Sequence, residues 1–111
     1  MNIYDNFLSL DIRVGTIIEC EINEKAKKPA YKLTIDFGDL GIKKSSAQIT
    51  DKYKCEELVG MQIIAVTNFP PKQVAGVLSE VLVLGVVEED GVTLLTPNKR
   101  VKNGEKIAWK V

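Results

Sequence analysis

A chain of 111 residues with 45% apolar and 27% charged side chains suits one globular domain, and none of its apolar runs reaches the length of a membrane span. There is no histidine, which removes the usual general base near neutral pH and the commonest metal ligand. Fifteen basic and fifteen acidic residues cancel to a net charge of zero, so the chain as a whole has no general attraction for a polyanion.

In chain order, Asn2 can cap a short helix with Asp5 in its first turn, and Ile3, Phe7 and Leu10 fall on one face. Two turns of helix are unstable alone, so this one must dock on its own domain or on a second subunit. A strand follows to about Ile22, with Val14, Ile18, Cys20 and Ile22 on one side and Glu19 and Glu21 on the other. Asn23–Pro29 is a polar, lysine-rich connection. Tyr31, Leu33, Ile35 and Phe37 alternate with Lys32, Thr34 and Asp36, the pattern of a half-buried strand. Gly38–Gly41 is a turn, and a third strand runs to about Ile49. Cys55–Val59 forms a short helix ending at Gly60.

Met61–Thr67 is the fourth strand, and about Ser79–Glu88 the fifth. Between them lies Asn68-Phe69-Pro70-Pro71-Lys72-Gln73-Val74-Ala75-Gly76-Val77-Leu78. Pro70 and Pro71 fix φ and remove donors, so the stretch is expected to stay out of the sheet, while Gly76 permits a positive φ at the return. It is either a binding loop or a stiff connection. Asp90-Gly91 is a tight-turn signal leading into Val92–Thr96, and Ile107, Trp109 and Val111 alternate in a last strand.

Three strands, a short helix and then further strands suit a small all-β Greek-key barrel of the oligonucleotide/oligosaccharide-binding type, the OB-fold. The single domain 1–111 divides into a helix over about 1–10, a barrel over about 11–90 and an extension with extra strands over about 91–111. MNIYDNF lacks a secretory pattern, and Cys20 and Cys55 fit no metal spacing. A cytoplasmic protein with reduced thiols is the expectation.

No nucleophile–base pair, CxxC or phosphate-binding GxxxxGK loop is present, so no catalysis, cofactor or metal is expected. Charge is segregated. Residues 25–54 hold eight lysines against three aspartates, and residues 92–111 hold five cations against one acid. These either meet in one basic face or merely solvate the surface. The exposed side of the second strand shows no aromatic platform for bases, so any RNA binding would read backbone and shape.

Four runs together resemble the tRNA-binding domain family. They are Leu10-Asp11-Ile12-Arg13-Val14-Gly15-Thr16-Ile17, Pro29 through Gly38, Gly41 through Thr50, and Asn68-Phe69-Pro70-Pro71-Lys72 through Gly76 with Ser79–Leu84. Ser45-Ser46-Ala47-Gln48-Ile49 is similar to the family's branch of small export-associated chaperones. The tRNA-binding branch has serine–x–glycine–methionine where this chain has Ser79-Glu80-Val81-Leu82, and a basic pair where it has Lys72-Gln73.

The resemblance implies a homodimeric OB-fold whose flanking segments build the interface, here Ile3, Phe7, Leu10, Ile107, Trp109 and Val111. As a chaperone, the chain would bind unfolded or export-bound polypeptides, with Phe69, Pro70, Pro71, Lys72 and Val74 as the binding residues. As a tRNA-binding protein acting in trans, it would use Lys43, Lys44, Asn68, Lys72, Ser79, Lys99 and Arg100. A third reading is a structural dimer with neither ligand.

Overall fold

The computed structural model of the protein describes residues 2–74 and 76–109. Helix α1 spans Ile3–Leu8, and the Asn2 side chain caps it by accepting from the Asp5 amide at 2.8 Å. Strands β1 (Ile12–Ile22), β2 (Tyr31–Asp36), β3 (Ile42–Ala47), β4 (Gln62–Val66) and β7 (Leu82–Val83) form one antiparallel sheet in the order β3-β2-β1-β4-β7. The sheet rolls until its two edges meet, where the Glu80 amide donates to the Lys44 carbonyl at 2.8 Å. This is the five-stranded barrel expected from the element order.

β1 serves two neighbours. Ile12–Thr16 pair with β4, and Thr16–Ile22 pair with β2. A bulge between Ile17 and Glu19 switches the faces. The single face expected for Val14, Ile18, Cys20 and Ile22 is therefore broken: Val14 and Ile17 are buried, Cys20 packs at the core's edge, and Ile18 and Ile22 are exposed. β2 behaves as its alternation requires, with Tyr31, Leu33, Ile35 and Phe37 inside. Gly15 is needed for close approach, since a Cβ there would lie 2.7 Å from both the Ile35 and Phe37 side chains.

Helix α2 (Cys55–Leu58) closes one end of the barrel with the fully buried Leu58. The two cysteines are not free thiols as expected. Cys20 and Cys55 form a disulfide across 5.3 Å between Cα atoms, fastening α2 to β1. Thirty-five residues separate the two cysteines in sequence, and only the barrel's curvature brings them together.

The segment after the prolines does pair, contrary to expectation. β5 (Lys72–Val74) and β6 (Val77–Ser79) form a hairpin starting immediately past Pro71, with Gly76 at φ 82° in its turn. The expected fifth strand is divided into β7 and β8 (Gly85–Glu88), and β8 pairs with β9 (Gly91–Leu94) through the Asp90-Gly91 turn. No regular strand forms at Ile107–Trp109. Instead residues 104–107 run beside β1, with backbone bonds from Gly104 to Val14 and from Ile107 to Ile12.

Candidate functional site

The Asp11–Gly15 run is a structural hub. The Arg13 guanidinium bonds the Asp11 carboxylate at 2.6 Å and the Gly104 carbonyl at 3.0 Å. That hydrogen bond, helped by the cation's charge, holds the Asp11 carboxyl below its ordinary pKa. Asn68, expected to meet RNA, is exposed and bonded into this hub. Its Oδ1 accepts from the Asp11 amide and its Nδ2 donates to the Ser9 carbonyl, tying the end of β4 to the start of β1.

Ser79 is also engaged within the protein. It is buried, its hydroxyl lies 3.2 Å from that of Ser45, and the Ser46 amide points to it at 3.3 Å. This cluster seats the β5–β6 hairpin on β3, so the hydroxyl expected to meet RNA is buried and bonded within the protein.

On the outer side of β2 and β3, Lys32 stands opposite Ser46 and Thr34 opposite Lys44. The β5–β6 hairpin crosses this face, leaving a hollow lined by Glu21, Lys32, Thr34, Lys44 and Gly76–Leu78. The 23–29 connection borders it. Asn23 shapes that connection by accepting from the Lys25 amide through its side chain and pairing with Ala30 through its backbone. Lys25 reaches the hairpin turn, its Cδ 3.2 Å from where a Gly76 Cβ would be. Beside it, Lys25, Lys27 and Lys28 line a second hollow with Ser46 and Gln48.

Five lysines thus line two neighbouring hollows, a lysine groove in two parts with Glu21 in the first, and none of the ion pairs among the described residues involves them. Of the residues expected to contact RNA, only Lys44 is here. Lys43, Lys72, Lys99 and Arg100 line neither hollow, and Arg100 donates to the Gly60 carbonyl behind α2. Lys25, Lys27, Lys28 and Lys32 line the hollows but were not among the candidates; the lysine-rich character of residues 25–54 was the available signal.

A third hollow, of about 370 Å³, lies where β3 and β7 diverge. Ala47, Ile49, Val81–Leu84, Val87, Val92 and Leu94 make it largely apolar, with the β8–β9 hairpin on one side. Phe69, Pro70, Pro71 and Lys72 are exposed but do not line it, so the expected peptide-binding residues form a separate ridge. The side chain of Val74 lies outside the described residues.

Helix α1 buries no residue: Ile3 is 87% exposed, and Tyr4, Phe7 and Leu8 are also at the surface. Trp109, 62% exposed, meets Tyr4 edge-to-face with ring centres 5.8 Å apart. The two flanking segments therefore share one apolar patch. Leu10 and Ile107 are half-buried beside β1, and Val111 lies outside the described residues. Among the described residues no helix is long and apolar enough to cross a membrane.

Residues 12–106 match the family model described as "Putative tRNA binding domain". The chain belongs to the tRNA-binding domain family. Its fold is shared with the chaperone CsaA from Bacillus anthracis (55% identity, TM-score 0.91, 97% of this chain and 99% of that one). The CsaA chaperone protein from Picrophilus torridus is similar at 57% identity and TM-score 0.91, over 97% of this chain and 100% of the other. Within the same family, the methionine–tRNA ligase of Parabacteroides distasonis is 39% identical over 105 residues, 94% of this chain. The chain spans only 15% of that ligase's length.

Proposed function

We propose that this protein is a non-enzymatic, cytoplasmic chaperone that works as a homodimer and holds unfolded or export-bound polypeptides. The observation that carries the reading is likeness to two CsaA chaperones at 55% and 57% identity over their whole lengths. Apolar surface supports it: the Phe69–Pro71 ridge, the hollow between β3 and β7, and the patch of Ile3, Phe7 and Trp109, which a second subunit would cover. In the dimer, each ridge would offer Phe69 to apolar client side chains and Lys72 to client carbonyls. The test is affinity for a reduced, unfolded client, with oligomer size read by light scattering. A dimer that loses affinity on Phe69→Ala is expected. A monomer, or a dimer indifferent to that substitution, overturns the assignment.

A second reading has one specific observation in its favour. The groove of Lys25, Lys27, Lys28, Lys32 and Lys44 suits a phosphate backbone, and tRNA binding in trans would use it. Binding of total tRNA that falls steeply with salt supports this reading; absent or salt-insensitive binding removes it.

A further inference from the structure

The cystine sits where it can control more than the stability of the barrel. Cys20 lies on β1 beyond the bulge and Cys55 opens α2; both are half-buried at the edge of the core. The C-terminal side of α2 is held without the sulfurs. Leu58 is fully buried there, and Gly60 and Met61 bond to the Ile17 backbone at 2.7 and 3.0 Å. What the disulfide restrains is the N-terminal side of α2 and the segment before it.

That segment holds the β8–β9 hairpin. The Tyr53 hydroxyl accepts from the Leu94 amide at 3.0 Å, and its carbonyl accepts from the Tyr31 hydroxyl at 2.7 Å. The Lys52 ammonium pairs with Glu88 at 2.8 Å and Asp90 at 3.2 Å. Val87, Val92 and Leu94 of the same hairpin line the apolar hollow between β3 and β7. A continuous path of packed and hydrogen-bonded groups therefore leads from the two sulfurs to one wall of that hollow.

We propose that Cys20–Cys55 is a reversible thiol–disulfide switch that sets how firmly the β8–β9 hairpin closes the apolar hollow. The oxidised form pins residues 50–57 and keeps the hairpin down. Reduction frees the N-terminal side of α2, weakens the hold of Lys52 and Tyr53, and opens the hollow. The reductant is a small dithiol. Its first thiolate attacks one protein sulfur and releases the other, forming a mixed disulfide; its second thiolate then displaces the remaining protein sulfur. Two electrons pass to the protein, two protons end on its thiols, and the dithiol leaves as a cyclic disulfide. A low-molecular-weight disulfide reverses the exchange. The switch stands independently of the chaperone reading; only an apolar polypeptide as occupant of the opened hollow rests on it.

The test reduces the full-length protein with dithiothreitol without denaturant, counts thiols by alkylation and mass, and follows the Leu94 amide by hydrogen exchange. The expectation is two alkylated cysteines, exchange at Leu94 about tenfold faster, and unchanged overall β content. Apolar-dye fluorescence rises, and oxidised glutathione reverses every change. Cys20→Ser/Cys55→Ser should behave as the reduced form and ignore dithiothreitol; if that variant does not fold, reduction of the native protein decides alone. Thiols appearing only in denaturant, or full reduction with Leu94 exchange unchanged, overturns the switch. A dye response without a gain in client affinity supports the switch and excludes the hollow as a client site, leaving the chaperone reading to the Phe69→Ala test.

Discussion

The hydroxyls of Ser45 and Ser79 lie 3.2 Å apart in the barrel seam, joining residues 34 positions apart in sequence. Both also approach the Val81 carbonyl, at 3.2 and 3.3 Å. Beside the Glu80–Lys44 backbone bond, these side chains set where the β5–β6 hairpin sits over the outer face of β2 and β3. The groove's shape thus depends on two buried hydroxyls bonded within the protein.

Ser79→Ala should therefore act on stability. Loss of this buried cluster should cost about 1–3 kcal/mol in urea denaturation, with binding by the folded variant largely kept. Full stability together with lost tRNA affinity would instead place the hydroxyl against a ligand.

If tRNA binds the lysine groove, Lys32→Gln/Lys44→Gln should weaken it and flatten its salt dependence. Each phosphate that is no longer neutralised reduces the slope of log affinity against log salt by about 0.7–0.9. Lys99→Gln/Arg100→Gln, away from the groove, should change little. The reverse ranking, measured by titration across salt, would move the site behind α2.

Gly15→Ala tests the barrel's inner packing. The added methyl would lie 2.7 Å from both Ile35 and Phe37, so side chains or backbone must shift. A destabilisation of about 1–3 kcal/mol is expected. Each kcal/mol should lower the melting temperature by about 4–8 °C in a domain of this size. An unchanged melting temperature would show that β1 passes the core at a greater distance.

Acid should loosen the β8–β9 hairpin. Lys52, then Thr93, hydrogen-bond the Glu88 carboxylate and hold its pKa below the ordinary 4.5. A carboxyl depressed in the folded state contributes stability above its unfolded value, and that contribution disappears as pH falls through the folded value. Lys52 is shifted upward, chiefly by Glu88, so its contribution is present below 10.5 and is lost as pH rises through the raised value. Thermal melts from neutral pH to about pH 2 should show the acid loss, and Lys52→Met should diminish it. An identical acid limb in the variant would exclude the pair as a source.

Much of the architecture was legible locally. The alternation of Tyr31–Phe37, the Asn2 cap, the helix ending at Gly60 and the Asp90-Gly91 turn each depend on neighbouring residues, which is why the order of elements was enough to indicate the barrel. The site was less legible. Asn68 and Ser79 carry the polar groups of ligand contacts, yet their partners Ser9, Asp11 and Ser45 come from distant segments; these bond Asn68 at the surface and hold Ser79 in the interior.

By itself, then, the sequence determined the four strands before the prolines, the Asp90-Gly91 turn and the barrel class, because periodicity and backbone preference act over a few residues. Only the tertiary structure decided the reversal of faces at Ile18, the joining of Cys20 to Cys55, and the gathering of Lys25, Lys27, Lys28, Lys32 and Lys44 at two neighbouring hollows. Those outcomes depend on how a curved sheet brings remote edges and loops together, and no local pattern encodes that distance.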